Sequence, residues 1–336
     1  TFAPKFYADE NVLFLSEYRQ AFSQGFLTLD TGFTEGYKNT STTKSEGSQS
    51  HVFADLDLNL NQDESYESKL SFKLQHASND TYFRKHNINT ALVNSENTTL
   101  ANEIKYSFSK DNMYLDVTGT MYENLREKSN KRYEYILPNI MFGKTFFTEK
   151  FGSIDFKSNA LHNSYKINRH RTSLINDVIW RPSSQTTKKG FVNSLEGMLR
   201  NTNYEARKTG EYKDEGKVNE MQSVLAYKSS LPMKKDGINY SNLFSPNFMI
   251  RYAPGHMRDL SGKDAVLNYT NLYSLNKTSE IEDGLSAVLG FDFKVNQKSS
   301  GGFEKEKLSI SLGQIFNYEK NRDIPSKSSL DQKMSD

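Results

Sequence analysis

The stretch Val52-Phe53-Ala54-Asp55-Leu56-Asp57-Leu58-Asn59-Leu60 decides the fold class. Its even positions are all apolar, and Asp55, Asp57 and Asn59 stand between them. Successive side chains of a strand point to opposite faces, so this segment has one oily and one polar face. The rhythm repeats outward from it. In 66–75, Tyr66, Leu70, Phe72 and Leu74 alternate with Glu67, Lys69, Ser71, Lys73 and Gln75. In 100–109, Leu100, Ile104, Tyr106 and Phe108 oppose Glu103, Lys105, Ser107 and Ser109, and 113–122 continues with Met113, Leu115, Val117 and Met121. Far downstream the same period runs through Leu285, Ala287, Leu289, Phe291, Phe293 and Val295, then Leu308, Ile310 and Leu312. No helical period is sustained anywhere. The expectation is an all-β, antiparallel chain of roughly 15 strands.

These strands read longer than the roughly five or six residues usual in soluble sheets. Short turns are expected near 61–65, 109–112 and 234–237, and longer polar loops near 77–98, 123–131, 162–170, 202–217 and 253–264. One long connection, 37–50, is expected to break that order. Short turns on one rim and long loops on the other is the habit of outer-membrane barrels. A soluble β-sandwich also alternates, but a chain this long would divide into domains of shorter strands. In lipid every backbone polar group must be paired, which a closed sheet achieves without helices. The sequence therefore predicts one domain over 1–336, part of an incomplete transmembrane β-barrel.

Composition agrees. Hydrophobic residues make up 35%, below the roughly 45–50% of a globular domain, a deficit that a wet-lumen barrel tolerates. Disorder fits poorly, because 12% of residues are aromatic. No stretch is long and apolar enough for a membrane helix, whereas barrel strands need only about 9–11 residues. The 43 basic and 41 acidic residues are interspersed, which argues against a nucleic-acid surface. There is no cysteine, hence no thiolate chemistry. No leader of the charged-then-apolar kind is read at Thr1.

Asp55, Asp57, Lys69, Lys73, Glu103 and Lys105 are the candidate polar wall. Each would cost several kcal/mol facing hydrocarbon and little facing water. Tyr66, Tyr106, Phe108, Tyr133 and Tyr135 suit an interfacial girdle, although aromatics favour strands anyway. Pro4, Pro138 and Pro246 fall inside strand-like runs. Proline removes a ladder donor, so each marks a bulge, a protected edge or a seam easy to open.

Catalytic motifs come close and fail. Gly143-Lys144-Thr145 lacks the glycine a phosphate loop needs five residues earlier, where Pro138 stands; Asp55 to Asn59 opens like a calcium loop but has Leu60 and Tyr66 at the required Gly and Glu. Gly284-Leu285-Ser286 begins like a nucleophile elbow but closes on Val288. His51, His76, His86, His162, His170 and His256 show no metal spacing. A porin-like barrel enzyme has no local support. The expectation is no enzyme, no metal and no cofactor.

Several segments, in order, resemble the barrel of the LPS-assembly LptD family, especially its alphaproteobacterial form. They are Thr1-Phe2-Ala3-Pro4-Lys5-Phe6-Tyr7, Tyr18-Arg19 with Gly25, Asp80-Thr81-Tyr82-Phe83-Arg84, the run Ser245 to Gly255, and Ser309-Ile310-Ser311-Leu312-Gly313-Gln314-Ile315 with the later Ser335-Asp336. The resemblance implies a chain without the family's periplasmic β-jellyroll, first barrel strand and closing strands. The missing cysteines depart from members that link domains by disulfides.

The resemblance further implies a translocon of the Gram-negative outer membrane. Lipopolysaccharide would arrive over an LptA-like periplasmic bridge. Its sugar would pass the polar lumen wall and its lipid would leave through a lateral gate, with an LptE-type lipoprotein plugging the barrel. Pro4 matches a family proline beside that gate. A general porin, or a soluble all-β surface-binding protein, are the alternatives.

Overall fold

A computed structural model describes residues 1–8, 11–39, 44–61, 65–127, 131–166, 168–209, 216–260, 266–298, 303–325 and 328–334. The strands are β1 (Phe2–Lys5), β2 (Leu13–Phe22), β3 (Gly25–Asn39), β4 (Lys44–Asn59), β5 (Glu67–Ala77), β6 (Thr99–Lys110), β7 (Met113–Asn124), β8 (Tyr133–Thr148), β9 (Gly152–Tyr165), β10 (Arg169–Arg181), β11 (Gln185–Thr186), β12 (Val192–Arg207), β13 (Gly216–Ser230), β14 (Met233–Asp236), β15 (Tyr240–Ala253), β16 (Gly284–Lys298) and β17 (Glu304–Asn317). They form one 17-stranded sheet, a little above the expected number because β11 and β14 are short. Its registers are antiparallel and join neighbours along the chain, as in a meander. One short helix, α1 (Tyr82–Lys85), stands between β5 and β6.

Five expected connections change. β9 runs to Tyr165 and β10 starts at Arg169, and β12 runs to Arg207 and β13 starts at Gly216, so the long loops expected at 162–170 and 202–217 are shorter, their ends taken up by strand. The stretch 37–50 is not a long loop: β3 and β4 pair as far as Asn39 and Lys44. Residues 234–237 belong mostly to β14, and the turn follows, closed by the Gly237 N–H donating to Tyr240 O at 2.8 Å. The loop placed at 253–264 instead spans 254–283.

Contacts divide the chain into two compact units: Thr1–Lys144 with Lys157–Ile175 and Asn203–Val218, and Thr145–Phe156 with Asn176–Thr202 and Asn219–Asp336. In the first, the oily face is open. Phe14, Phe33, Val52, Phe72 and Ile104 are all exposed. The core lies on the other face, where Leu13, Leu15, Phe53 and Ala77 pack with Tyr82, Phe83, Ile88 and Val93 from the 78–98 connection. The second unit repeats the plan. Leu285, Leu289, Leu308 and Leu312 are exposed, while Met249, Val288 and Ile315 on the opposite face pack with Leu260, Leu272, Leu275 and Ile281 of the 254–283 connection. In each unit an oily loop covers part of the face that alternation marks as polar.

The glycines of the second unit explain how closely that loop lies. Gly290 and Gly313 face each other across β16 and β17. A Cβ on Gly290 would come within 2.4 Å of the Tyr273 hydroxyl, and one on Gly313 within 2.4 Å of Leu272 Cδ2.

The three prolines take different places. Pro138 lies where the β7–β8 register shifts, at a bulge. Pro246 stands between the end of the β13–β15 ladder at Asn247 and the start of the β14–β15 ladder at Phe244. Both are positions where a ladder has no use for the missing donor. Pro4 lies opposite Phe14 in the β1–β2 register.

Candidate polar wall

Across β4, β5 and β6 the register sets the predicted wall residues side by side. Asp55 faces Lys73, Lys73 faces Glu103, and Glu103 faces Thr120. On the other flank Asp55 faces Thr28, which faces Arg19. Charge thus alternates along one row: Arg19, Asp55, Lys73, Glu103. The next row joins Asp57, Ser71, Lys105 and Thr118, and the Ser71 hydroxyl donates to Asp57 Oδ1 at 2.6 Å. Lys69 faces Asn59 and bridges Glu67 at 3.5 Å. Direct cross-strand pairs of opposite charge contribute only about 0.2–1 kcal/mol each, so this row is a mixed-charge surface rather than a strong ionic lock. Leu56, Leu58, Leu70, Phe72, Ile104 and Tyr106 occupy the opposite face in the same registers. The structure therefore gathers all six predicted wall residues on one surface.

Toward the 78–98 connection the same surface becomes buried. His51 Nε2 lies 2.9 Å from Asp30 Oδ1, and His51 Nδ1 lies 3.3 Å from the Tyr82 hydroxyl. His86 Nε2 meets Gln49 at 3.2 Å. Burial pushes the Tyr82 hydroxyl up, and Tyr7 and Asp30 add to the effect. Arg132 bridges Asp80 and Glu123, each at 2.6 Å, tying the 78–98 and 125–132 connections together. Its guanidinium is raised by the hydrogen bond to Asp80 and by Glu123. None of these pairings could be read from spacing. The sequence signal for them was the oily content of a stretch with no strand period, Tyr82, Phe83, Ile88 and Val93.

The aromatic candidates mark both ends of the strands. Tyr66 and Phe108 lie 5.7 Å apart near the short turns, and Tyr133 and Tyr135 stack at 6.3 Å beside the longer connection. The β9–β10 hairpin stacks His162 on His170 at 6.4 Å, a pair that sequence spacing concealed. Among the described residues no three candidate ligands gather as a metal site would require.

Pro4 adds a feature of the β1 edge. The Glu17 N–H donates to Thr1 O at 2.8 Å. Hydrogen-bonded and non-bonded pairs alternate in an antiparallel ladder, so in this register Ala3 and Lys5 bond to β2 while Phe2 and Pro4 turn their nitrogens away from it. The donor that Pro4 lacks is therefore missing from the far edge of β1.

In the second unit a charged cluster is buried beneath the 254–283 connection. Arg251, with 2% of its surface exposed, donates to Leu275 O and to Asn276 Oδ1, and lies 3.8 Å from Glu282. Glu282 Oε1 accepts the backbone N–H groups of Lys277 and Thr278, both at 2.6 Å. Arg251, Lys277 and Glu282 line a solvent-open cavity of about 650 Å³, together with residues 317–324 and Leu330.

A family model for LptD, LPS transport system D, matches residues 47–336. The chain belongs to the LptD family. The match takes in all six wall residues and both oily connections, and begins after Pro4. No curated protein matches the chain. An LptD-family chain is a component of lipopolysaccharide transport, and the all-β sheet with an exposed oily face and a polar opposite face is the architecture that assignment requires. The closing Ser335-Asp336 of the resemblance lies outside the described residues.

Proposed function

We propose that this chain is the translocating wall of an outer-membrane lipopolysaccharide translocon. The saccharide moves along the row of Arg19, Asp55, Lys73 and Glu103 and its neighbours Asp57, Lys69 and Lys105. The acyl chains leave at the edge carrying Pro4. The observation that supports this reading is the separation of faces along β4, β5 and β6, with the six charged residues on one side and Leu56, Leu58, Leu70, Phe72 and Ile104 on the other. A sugar exchanges its hydration for alternating donors and acceptors on one face, while Leu58, Leu70 and Ile104 meet hydrocarbon on the other. In lipid a charge on the oily face costs about 2–4 kcal/mol at the midplane, so the polar row must face water. Pro4 complements this path, because a strand residue without a donor on the side away from β2 parts from a neighbour there at lower cost. Guidance of this kind uses no catalytic group. An LptE-type lipoprotein filling the lumen, an LptA-like bridge, and part-membership of one barrel domain complete the proposal.

The test is photocrosslinking in cells. A photoreactive residue replaces Asp57, Lys69 or Lys105 in the full-length protein, with Leu58 and Leu70 as opposite-face controls. Lipopolysaccharide adducts at the first three and none at the controls are expected. A folded, membrane-embedded protein giving no adduct at any site would make the chain an ordinary transport barrel.

A further inference from the structure

Strands β14 to β17 of the second unit meet at the short turns, and their register sorts the oily face into rows. Met233, Phe244, Phe293 and Ile310 form one row. Lys235, Asn242, Val295 and Leu308 form the next toward the turns, and Tyr240, Gln297 and Lys305 the last. Along the strands the face thus passes from oily to mixed to polar. Side chains alternate, so Lys234, Asp236, Ser241, Lys298 and Glu304 lie on the opposite face. There the charges close on one another. Lys298 bridges Asp236 at 2.8 Å, Lys234 bridges Asp236 at 3.3 Å and Glu304 at 3.5 Å, and Lys294 bridges Glu306 at 3.2 Å. Asp236, Glu304 and Glu306 are the carboxylates of 233–247 and 294–308, and all three are engaged there. Lys235 and Lys305, both exposed, form no ion pair among the described residues, nor does exposed Lys307 at the β16–β17 bulge. The oily face therefore ends in positive charge that no carboxylate of these strands answers. Lysine reaches such a boundary by laying its stem along apolar neighbours, and tyrosine suits it by its apolar ring and polar hydroxyl.

We propose that Lys235, Tyr240 and Lys305 bind the headgroup of an anionic glycerophospholipid, the lysines facing phosphate and Tyr240, Asn242 and Gln297 donating to phosphate or glycerol oxygens. The inference rests on the membrane reading above for the lipid that meets this face. An ethanolamine headgroup brings its own cation and cancels the match, whereas an anionic one supplies the missing charge. β14 and β17 are three strand spacings apart, about 14 Å, so the two lysines suit a headgroup with two phosphates, such as cardiolipin, better than one with a single phosphate. Short turns belong to the periplasmic rim of outer-membrane barrels, which sets this surface in the phospholipid leaflet rather than the lipopolysaccharide one.

The experiment uses the purified full-length protein in detergent, folded as judged by heat-modifiable gel mobility. Binding of cardiolipin, phosphatidylglycerol, phosphatidylethanolamine and lipid A is followed by native mass spectrometry. Cardiolipin should bind most tightly, then phosphatidylglycerol, with phosphatidylethanolamine weakest. Each lysine near an anionic surface contributes about fivefold in affinity. Lys235→Gln combined with Lys305→Gln should therefore weaken cardiolipin about 25-fold, and Lys235→Arg with Lys305→Arg should stay within about threefold. Each glutamine variant alone, about fivefold weaker, replaces the pair should the pair not fold. Lys294→Gln, on the opposite face, should leave the affinity unchanged. Equal binding of phosphatidylethanolamine, or undiminished cardiolipin binding by the glutamine variants, would overturn the proposal. So would tighter binding of lipid A than of cardiolipin that the same variants abolish, which would give the site to the carried lipid. Binding is measured without transport. Crosslinks at Asp57, Lys69 and Lys105 with no preference for anionic lipid would sink this inference alone, and the preference without crosslinks would sink only the transport reading.

Discussion

His51 and Asp30 form a hydrogen-bonded pair at 2.9 Å on neighbouring strands, and neither has more than 1% of its side chain exposed. The other ring nitrogen of His51 meets Tyr82, so one imidazole joins the wall to the folded-in 78–98 connection. Among the described residues Asp30 Oδ2 has no hydrogen-bond partner. The side-chain hydrogen bond described for this carboxylate is the one to His51.

Breaking that pair should be costly. His51→Leu leaves Asp30 buried without its partner, and the expected loss is about 3–5 kcal/mol. Asp30→Leu with His51→Leu removes both polar groups and should recover much of it, because two apolar groups of similar shape leave nothing unsatisfied. Urea unfolding of detergent-refolded protein, read by heat-modifiable mobility, measures both. A single variant as stable as the wild type would show that the pair does not anchor the connection.

Gly313 should tolerate no side chain while Leu272 is in place. An added Cβ would lie 2.4 Å from Leu272 Cδ2 and 3.2 Å from Leu289 O. Overpacking of this kind costs about 1–3 kcal/mol. Gly313→Ala should also open residues 266–283 to protease, and Leu272→Ala should restore resistance by removing the obstructing methyl. Rescue distinguishes a displaced connection from a weakened strand, since Leu272→Ala cannot repair β17.

Stability should depend on pH through Lys277. Its ammonium titrates near 8 in the fold and near 10.5 when released. Below pH 8 both states are charged and the fold carries the whole burial penalty, roughly 3 kcal/mol at most. Between 8 and 10.5 the unfolded chain binds the extra proton, so stability rises with pH. Tyr273 acts in the opposite sense, because burial lifts its hydroxyl to about 12. Stability falls from about pH 10 as the unfolded tyrosine ionises first. Melting temperatures should thus climb from pH 8 to about 10, and Lys277→Met should start higher at pH 7 and lose the climb. A flat wild-type profile over that range would mean that Lys277 is hydrated.

The faces of the sheet were legible because period two is a local property. Asp55, Lys73 and Glu103 needed only their own strands to be assigned, and the antiparallel register then brought them together. The in-folded connections were not legible. Tyr82, Phe83, Leu272 and Leu275 carry no period, and their partners lie on strands distant in the chain. Arg251 illustrates the limit: it falls on the polar side of β15, as alternation requires, yet it is buried because Leu275, Asn276 and Glu282 arrive from elsewhere. The stretch 37–50 failed for the opposite reason, since its polar composition suggested a loop where backbone pairing continues.

Pro4→Ala should separate stability from transport. The Pro4 nitrogen points away from β2, so alanine neither adds to nor takes from the β1–β2 ladder, and unfolding free energy should stay within about 0.5 kcal/mol. The substitution does restore a donor to the far edge of β1, where it can pair with a neighbouring strand and hold that edge shut. In cells carrying the full-length variant, lipopolysaccharide should therefore reach the surface more slowly, which pulse labelling with surface capture would measure. Pro246→Ala serves as the control, because Pro246 stands at a break between the β13–β15 and β14–β15 ladders and not on β1, and should leave the rate unchanged. Equal slowing by both variants would indicate a general folding defect. Wild-type rates in Pro4→Ala would mean that the β1 edge is not where the lipid leaves.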